Sequence, residues 1–100
     1  MQLAISIKKW VFSSVFNVVY SKRAAKYFKK IPKAYQIKLR NKIEELAVNP
    51  QISGTIKLVD YPIAKYRHRV GNYRILFDID TLEKTLEIVD IRRRDEQTYR

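Results

Sequence analysis

Three arginines bracket a two-residue turn in the stretch "KYRHRVGNYRILFDI", residues 65–79: Arg67 and Arg69 before Gly71-Asn72, and Arg74 after it. Gly-Asn between two alternating runs is a hairpin signal. A hairpin closed there sets Val70 opposite Tyr73, Arg69 opposite Arg74 and Arg67 opposite Leu76. Strand side chains alternate, so Lys65, Arg67 and Arg69 share one face with Arg74. Tyr66, His68, Val70, Tyr73, Ile75 and Phe77 share the other, apolar face. Like charges directly opposite across a strand pair cost a few tenths to about 1 kcal/mol, and a bound anion reverses the sign of that cost. Guanidinium groups are planar forks that match phosphate oxygens and stay charged at any ordinary pH. The implied chemistry is a pre-built phosphate site. Asp78, on the same face, supports a plainer alternative, a solvated ion-pair network.

The C-terminal run adds to this patch. Arg92, Arg93 and Arg94 are expected to leave the last strand beside it, and Tyr99 follows. Cations on phosphate and a ring on a base are a common way to hold a splayed nucleotide. His68 is the only imidazole and so a candidate general base. Alternation puts it on the apolar face, away from the arginines, where a packed and hydrogen-bonded histidine is the simpler expectation. Trp10 has no assigned role.

The elements that must position these residues are short and regular. A first strand is expected around Phe16–Tyr20, and Ser21 is a good N-cap for a helix starting at Lys22. Ala24, Tyr27, Phe28 and Ile31 make its apolar stripe, and Pro32 separates it from a second helix over about Lys33–Val48. Tyr35, Leu39, Ile43 and Leu46 are that helix's buried stripe, and Asn49-Pro50 stops it. From Thr55 the period becomes two: strands are expected over 55–59, 64–70, 73–79 and 85–91. The reading is α+β, a helical hairpin packed on one face of a small, mostly antiparallel sheet.

The chain has 100 residues, no cysteine and one histidine, which argues against disulfides, thiolate metal sites and a zinc centre. No metal or other cofactor is expected. The net charge is +11, and the first acid is Glu44, so residues 1–43 hold eleven Lys/Arg and no acid. A small protein this basic is expected to meet nucleic acid or an acidic protein, although lysines on helix faces also serve simply as solvated surface. Residues 1–17 are expected to be an N-terminal extension or the product of a start codon placed too early: the apolar run after Lys8-Lys9 is too short to span a membrane and lacks a convincing cleavage site. Residues 18–100 are expected to form one domain.

The stretches "YSKRAAKYFKKIPK", "LAVNP", "YRHRVGNYRILFDI" and "IVDIRRRDEQTYR" resemble, in order and spacing, the RelE/ParE superfamily of type II toxin–antitoxin toxins, and the hairpin and terminal Arg…Tyr resemble its RelE-like branch. The resemblance implies a cytoplasmic, ribosome-dependent, metal-independent endoribonuclease that cuts mRNA in the A site. The ribose 2′-OH attacks the adjacent phosphate. It implies catalytic positions at Arg67, Arg69, Arg74, Arg94 and Tyr99, with RNA-binding support from Lys65, Arg92 and Arg93. The implied partners are mRNA with the ribosome and an acidic cognate antitoxin, with no membrane and no small-molecule cofactor. Best-studied members carry lysines where this chain has Arg67 and Arg69, which leaves the general base open. A ParE-like DNA gyrase inhibitor and a non-catalytic basic binding module are the alternatives.

Overall fold

The computed structural model describes residues 15–93. In chain order they form strand β1 (Asn17–Tyr20), helices α1 (Lys22–Lys30) and α2 (Lys33–Val48), and strands β2 (Thr55–Lys57), β3 (Tyr66–Val70), β4 (Tyr73–Asp80) and β5 (Thr85–Arg93). One five-stranded sheet has the order β1-β5-β4-β3-β2. β1 runs parallel to β5, and the other three pairs are antiparallel. The expected α+β architecture is what the chain adopts.

Local chemistry sets the helix ends. Ser21 Oγ accepts the Ala24 N–H at 3.0 Å, which satisfies one of the donors that every helix start leaves open. At the far end of α1, Gln36 Nε2 donates to the Phe28 and Ile31 carbonyls at 2.9 and 3.0 Å. One α2 side chain thus ties off the last turn of α1 and fixes the angle of the helical hairpin. Leu39, Ile43 and Leu46 are buried along α2 and pack with Ala24 and Ile31 of the α1 region. They meet Tyr73, Ile75 and Phe77 of β4 and Leu86, Ile88 and Ile91 of β5. Each of these large side chains contributes roughly 1.5–3 kcal/mol by leaving water.

The β3–β4 hairpin has the expected register, with Val70 opposite Tyr73, Arg69 opposite Arg74 and Arg67 opposite Leu76. Gly71 has φ +58°, the left-handed first position of a two-residue turn. Strand β2 stops at Lys57 rather than Val59: Asp60 adopts φ 55°, and the chain turns away.

Strand β5 differs in two ways from the expected 85–91. It continues to Arg93, and it carries a bulge. Phe77 pairs with Ile88 while Leu76 pairs with Asp90, so Val89 is an extra residue with no partner on β4. The core residues of β5 are therefore spaced by two and then by three: Leu86, Ile88, Ile91. The extra residue reverses the alternation, so Asp90 and Arg92 fall on the face away from the helices. The Val89 carbonyl accepts the Ser21 hydroxyl at 2.6 Å. One serine thus caps α1 and pins the bulge.

Candidate nucleic-acid interface

Residues directly paired across antiparallel strands share a face. Arg69 pairs with Arg74, and Arg74 pairs in turn with Arg92. Three arginines from three strands therefore form one row across the sheet. The next row is Arg67, Leu76 and Asp90. Arg92 was expected just beyond the strand; it lies within it because of the longer β5. Arg93, expected to leave the strand with it, pairs with Tyr73 instead, on the opposite side of the sheet from the row, and is exposed. Arg94 and Tyr99 lie outside the described residues.

Three of the four described arginines on this face are held down. Arg69 is exposed, whereas Arg67, Arg74 and Arg92 are half-buried, and the Nε atoms of Arg67 and Arg74 are buried. Leu76 is fully buried although it lies on this face and outside the main core cluster. Its cross-strand neighbours on this face are Arg67 and Asp90. A guanidinium held by its stem loses less freedom when an anion arrives than one on a loose surface chain.

Asp78 lies on the same face, but its Oδ1 accepts the Lys65 backbone N–H at 2.7 Å. The carboxylate bonded within the arginine row is Asp90, which the sequence reasoning missed. Its Oδ2 accepts from Arg92 Nε at 2.7 Å, and its Oδ1 accepts the Ile91 N–H at 2.9 Å. Arg23 of α1 approaches the same Oδ2 at 3.9 Å. Strand alternation puts residues 90 and 92 on one side, which was the available signal. Lys65 is exposed, one residue before β3, and lines a groove with Asp78, Asp80, Glu83 and Glu87. Its surroundings are acidic, unlike those of the row.

His68 is buried on the helix-facing side. Its Nδ1 lies 3.1 Å from Thr55 Oγ1, and Gly54, at φ +102°, passes over the ring so closely that a Cβ there would sit 2.9 Å from Cε1. Burial depresses its pKa below the usual imidazole value; nearby Lys42 adds to this and Glu45 opposes it. The imidazole is thus a core group across the sheet from the arginines.

The family model for the ParE toxin of type II toxin–antitoxin systems, parDE, matches residues 18–98. No curated protein matches the chain in sequence. Among solved structures, the chain is similar to an archaeal RelE–RelB complex from Pyrococcus horikoshii OT3, with TM-score 0.71 and 23% identity over 82% of this chain and 98% of that one. It is similar to the toxin–antitoxin complex RelBE2 from Mycobacterium tuberculosis, with TM-score 0.71 and 20% identity over 82% of this chain and 94% of that one. It is also similar to the intact E. coli RelBE toxin–antitoxin complex, with TM-score 0.69 and 18% identity over 81% and 99% of the two chains. At these identities the likeness is one of fold. Among the described residues, no helix is long and apolar enough to cross a membrane.

Proposed function

We propose, from the premise that the chain belongs to the ParE toxin family of type II toxin–antitoxin systems, that this toxin cleaves mRNA on the ribosome. The observation that carries the reading is the row Arg69–Arg74–Arg92, flanked by Arg67. A three-strand row of like charges costs stability except where an anion offsets it, and a phosphate seated on it would do so. Half-buried guanidinium groups are suited to the charge that develops when a 2′-OH attacks the neighbouring phosphate. The new O2′–P bond forms, the P–O5′ bond breaks, and the products are a 2′,3′-cyclic phosphate and a 5′-hydroxyl. The phosphorane between them carries extra negative charge, and fixed cations aimed at it lower the barrier.

The described residues divide the work in a specific way. Arg69 and Arg74 are assigned to the non-bridging oxygens, and Arg67 and Arg92 to the flanking phosphates. Arginine keeps its proton at ordinary pH, so these residues supply charge and geometry rather than proton removal. His68 is not the base, since it is buried beneath Gly54 on the other side of the sheet. Arg94 near the leaving 5′-oxygen and Tyr99 on a base complete the proposal, with Lys65 as an RNA contact; Arg93, on the other side of the sheet, has no part in it. The expected second partner is an acidic antitoxin that silences the toxin.

The family match favours a second reading, inhibition of DNA gyrase by a ParE-type toxin. The two separate in one side-by-side assay with purified toxin. The ribonuclease reading expects cleavage of mRNA within the A-site codon of programmed ribosomes and unchanged gyrase supercoiling. Intact mRNA together with blocked supercoiling would reverse the assignment.

A further inference from the structure

Asp90 stands apart from the other carboxylates among the described residues. It is 3% exposed, lies on the arginine face, and is bonded within the row rather than solvated beside it. Three independent features hold it there. The Val89 bulge turns it to this face, and Ser21 Oγ fixes the bulge through the Val89 carbonyl at 2.6 Å. The Ile91 N–H holds one carboxylate oxygen at 2.9 Å. The other oxygen takes Arg92 Nε at 2.7 Å, with Arg23 3.9 Å away on the wall of a groove of about 330 Å³ lined also by Tyr27 and Ile91.

We propose that Asp90 is a positioning residue: its buried carboxylate clasps Arg92 at Nε and fixes where that guanidinium presents its charge beside Arg74. A fork held at Nε keeps its plane fixed, and its Nη groups are then set by the protein rather than by the incoming phosphate. Lysine has a single ammonium head and cannot take one bond at its stem while presenting a fork. The carboxylate also offsets the repulsion of Arg74 and Arg92, which lets two guanidinium groups stand side by side before any anion binds. Asp90 touches no substrate and acts only through Arg92. Its effect on a reaction rate rests on the ribonuclease reading above; the clasp itself does not.

Two measurements test this. In the free wild-type toxin, hydrogen exchange of the Arg92 Nε–H is followed by nitrogen-15 NMR, assigned by its loss in Arg92→Lys, with exposed Arg69 as the internal reference. The clasp expects slow exchange at Arg92 and fast exchange at Arg69; equal rates would overturn it. The second measurement is single-turnover cleavage on saturating programmed ribosomes. Asp90→Asn, checked for folding by its melting curve, is expected to lower the rate about 10- to 100-fold, the scale set by small misplacements of a reacting geometry. Its affinity for the ribosome should stay within about twofold, because the net charge changes by only one. In an Arg92→Ala background the same change should have no further effect on rate. Full, additive losses in the double variant would overturn the positioning role. Wild-type toxin that does not cut at all would overturn the ribonuclease reading alone, and the Nε–H exchange would still decide the clasp.

Discussion

Arg74 faces Arg92 across the β4–β5 pair, and on its other side it faces Arg69 across the β3–β4 pair. A central strand that meets arginine on both sides is not arranged for stability alone. Removing the outermost charge should therefore relieve strain. Arg69→Ala is expected to leave the melting temperature unchanged or slightly raised, within the roughly 0.2–1 kcal/mol that a cross-strand pair is worth. Thermal denaturation at low and moderate salt measures it, and the gain should shrink as salt screens the row. A loss of several kcal/mol would mean that Arg69 supports the fold.

Ser21 joins two distant parts of the chain, capping α1 at Ala24 and donating to the bulge carbonyl of Val89. Ser21→Ala is expected to cost about 1–2 kcal/mol, the upper range for a lost N-cap, because the bulge loses its tie as well. For a domain of this size that corresponds to a fall in Tm of roughly 4–8 °C per kcal/mol. Ser21→Thr keeps the hydroxyl and should recover most of the loss. A Ser21→Ala protein that melts like wild type would show that the bulge holds itself.

His68 makes stability depend on pH in a defined window. Its folded pKa lies below the unfolded value of about 6.5, so the unfolded chain binds the proton first as pH falls. The stability is fully present above about pH 6.5 and is lost progressively as pH falls through the folded pKa. Melting curves at pH 7.5 and 5.5 should show wild type losing stability on acidification, and His68→Gln losing less. Equal pH dependence in both would remove His68 as the cause. His68→Ala should damage stability more than cleavage, since the ring packs under Gly54 on the helix side.

The charge of +11 sets the kinetics of the expected antitoxin. An acidic partner should associate quickly onto the basic surface, and its on-rate should fall markedly between low and moderate salt, as the Debye length shortens to about 10 Å at 0.1 M. Dissociation, set by buried apolar contacts, should change little. Stopped-flow association of a purified toxin–antitoxin pair over a salt series is the check. An on-rate indifferent to salt contradicts the electrostatic part.

The parts of this fold that were legible in the sequence are those governed by local rules. Ser21, Pro32 and Asn49 mark helix ends by their own chemistry, and both helices begin and end where those residues predict. Gly71 fixes the hairpin, and alternation then sets Arg67, Arg69 and Arg74 on one face. What the sequence did not show depends on contacts between distant residues. The Val89 bulge is stabilised by a serine 68 positions away, and it alone decides which side Asp90 and Arg92 occupy. The end of β5 was set too early because Arg92-Arg93 reads as a solvated run, whereas pairing with Arg74 and Tyr73 keeps both in the sheet. The burial of Leu76 was equally hidden, since a leucine alternating with Arg74 and Asp78 reads as part of a solvated face.

The central claim is that the arginine row stabilises the transition state of mRNA cleavage, and Arg74, at its centre, tests it most directly. The measurement is the single-turnover rate of mRNA cleavage on programmed ribosomes by wild-type toxin and by Arg74→Ala, with product ends identified and both proteins shown to be folded by circular dichroism and thermal melting. Wild type should yield 2′,3′-cyclic phosphate and 5′-hydroxyl ends. Arg74→Ala should remain folded and lose two to three decades in rate, about 2.7–4 kcal/mol by analogy with a lost oxyanion-hole donor. A folded Arg74→Ala toxin that cleaves at the wild-type rate would contradict the account.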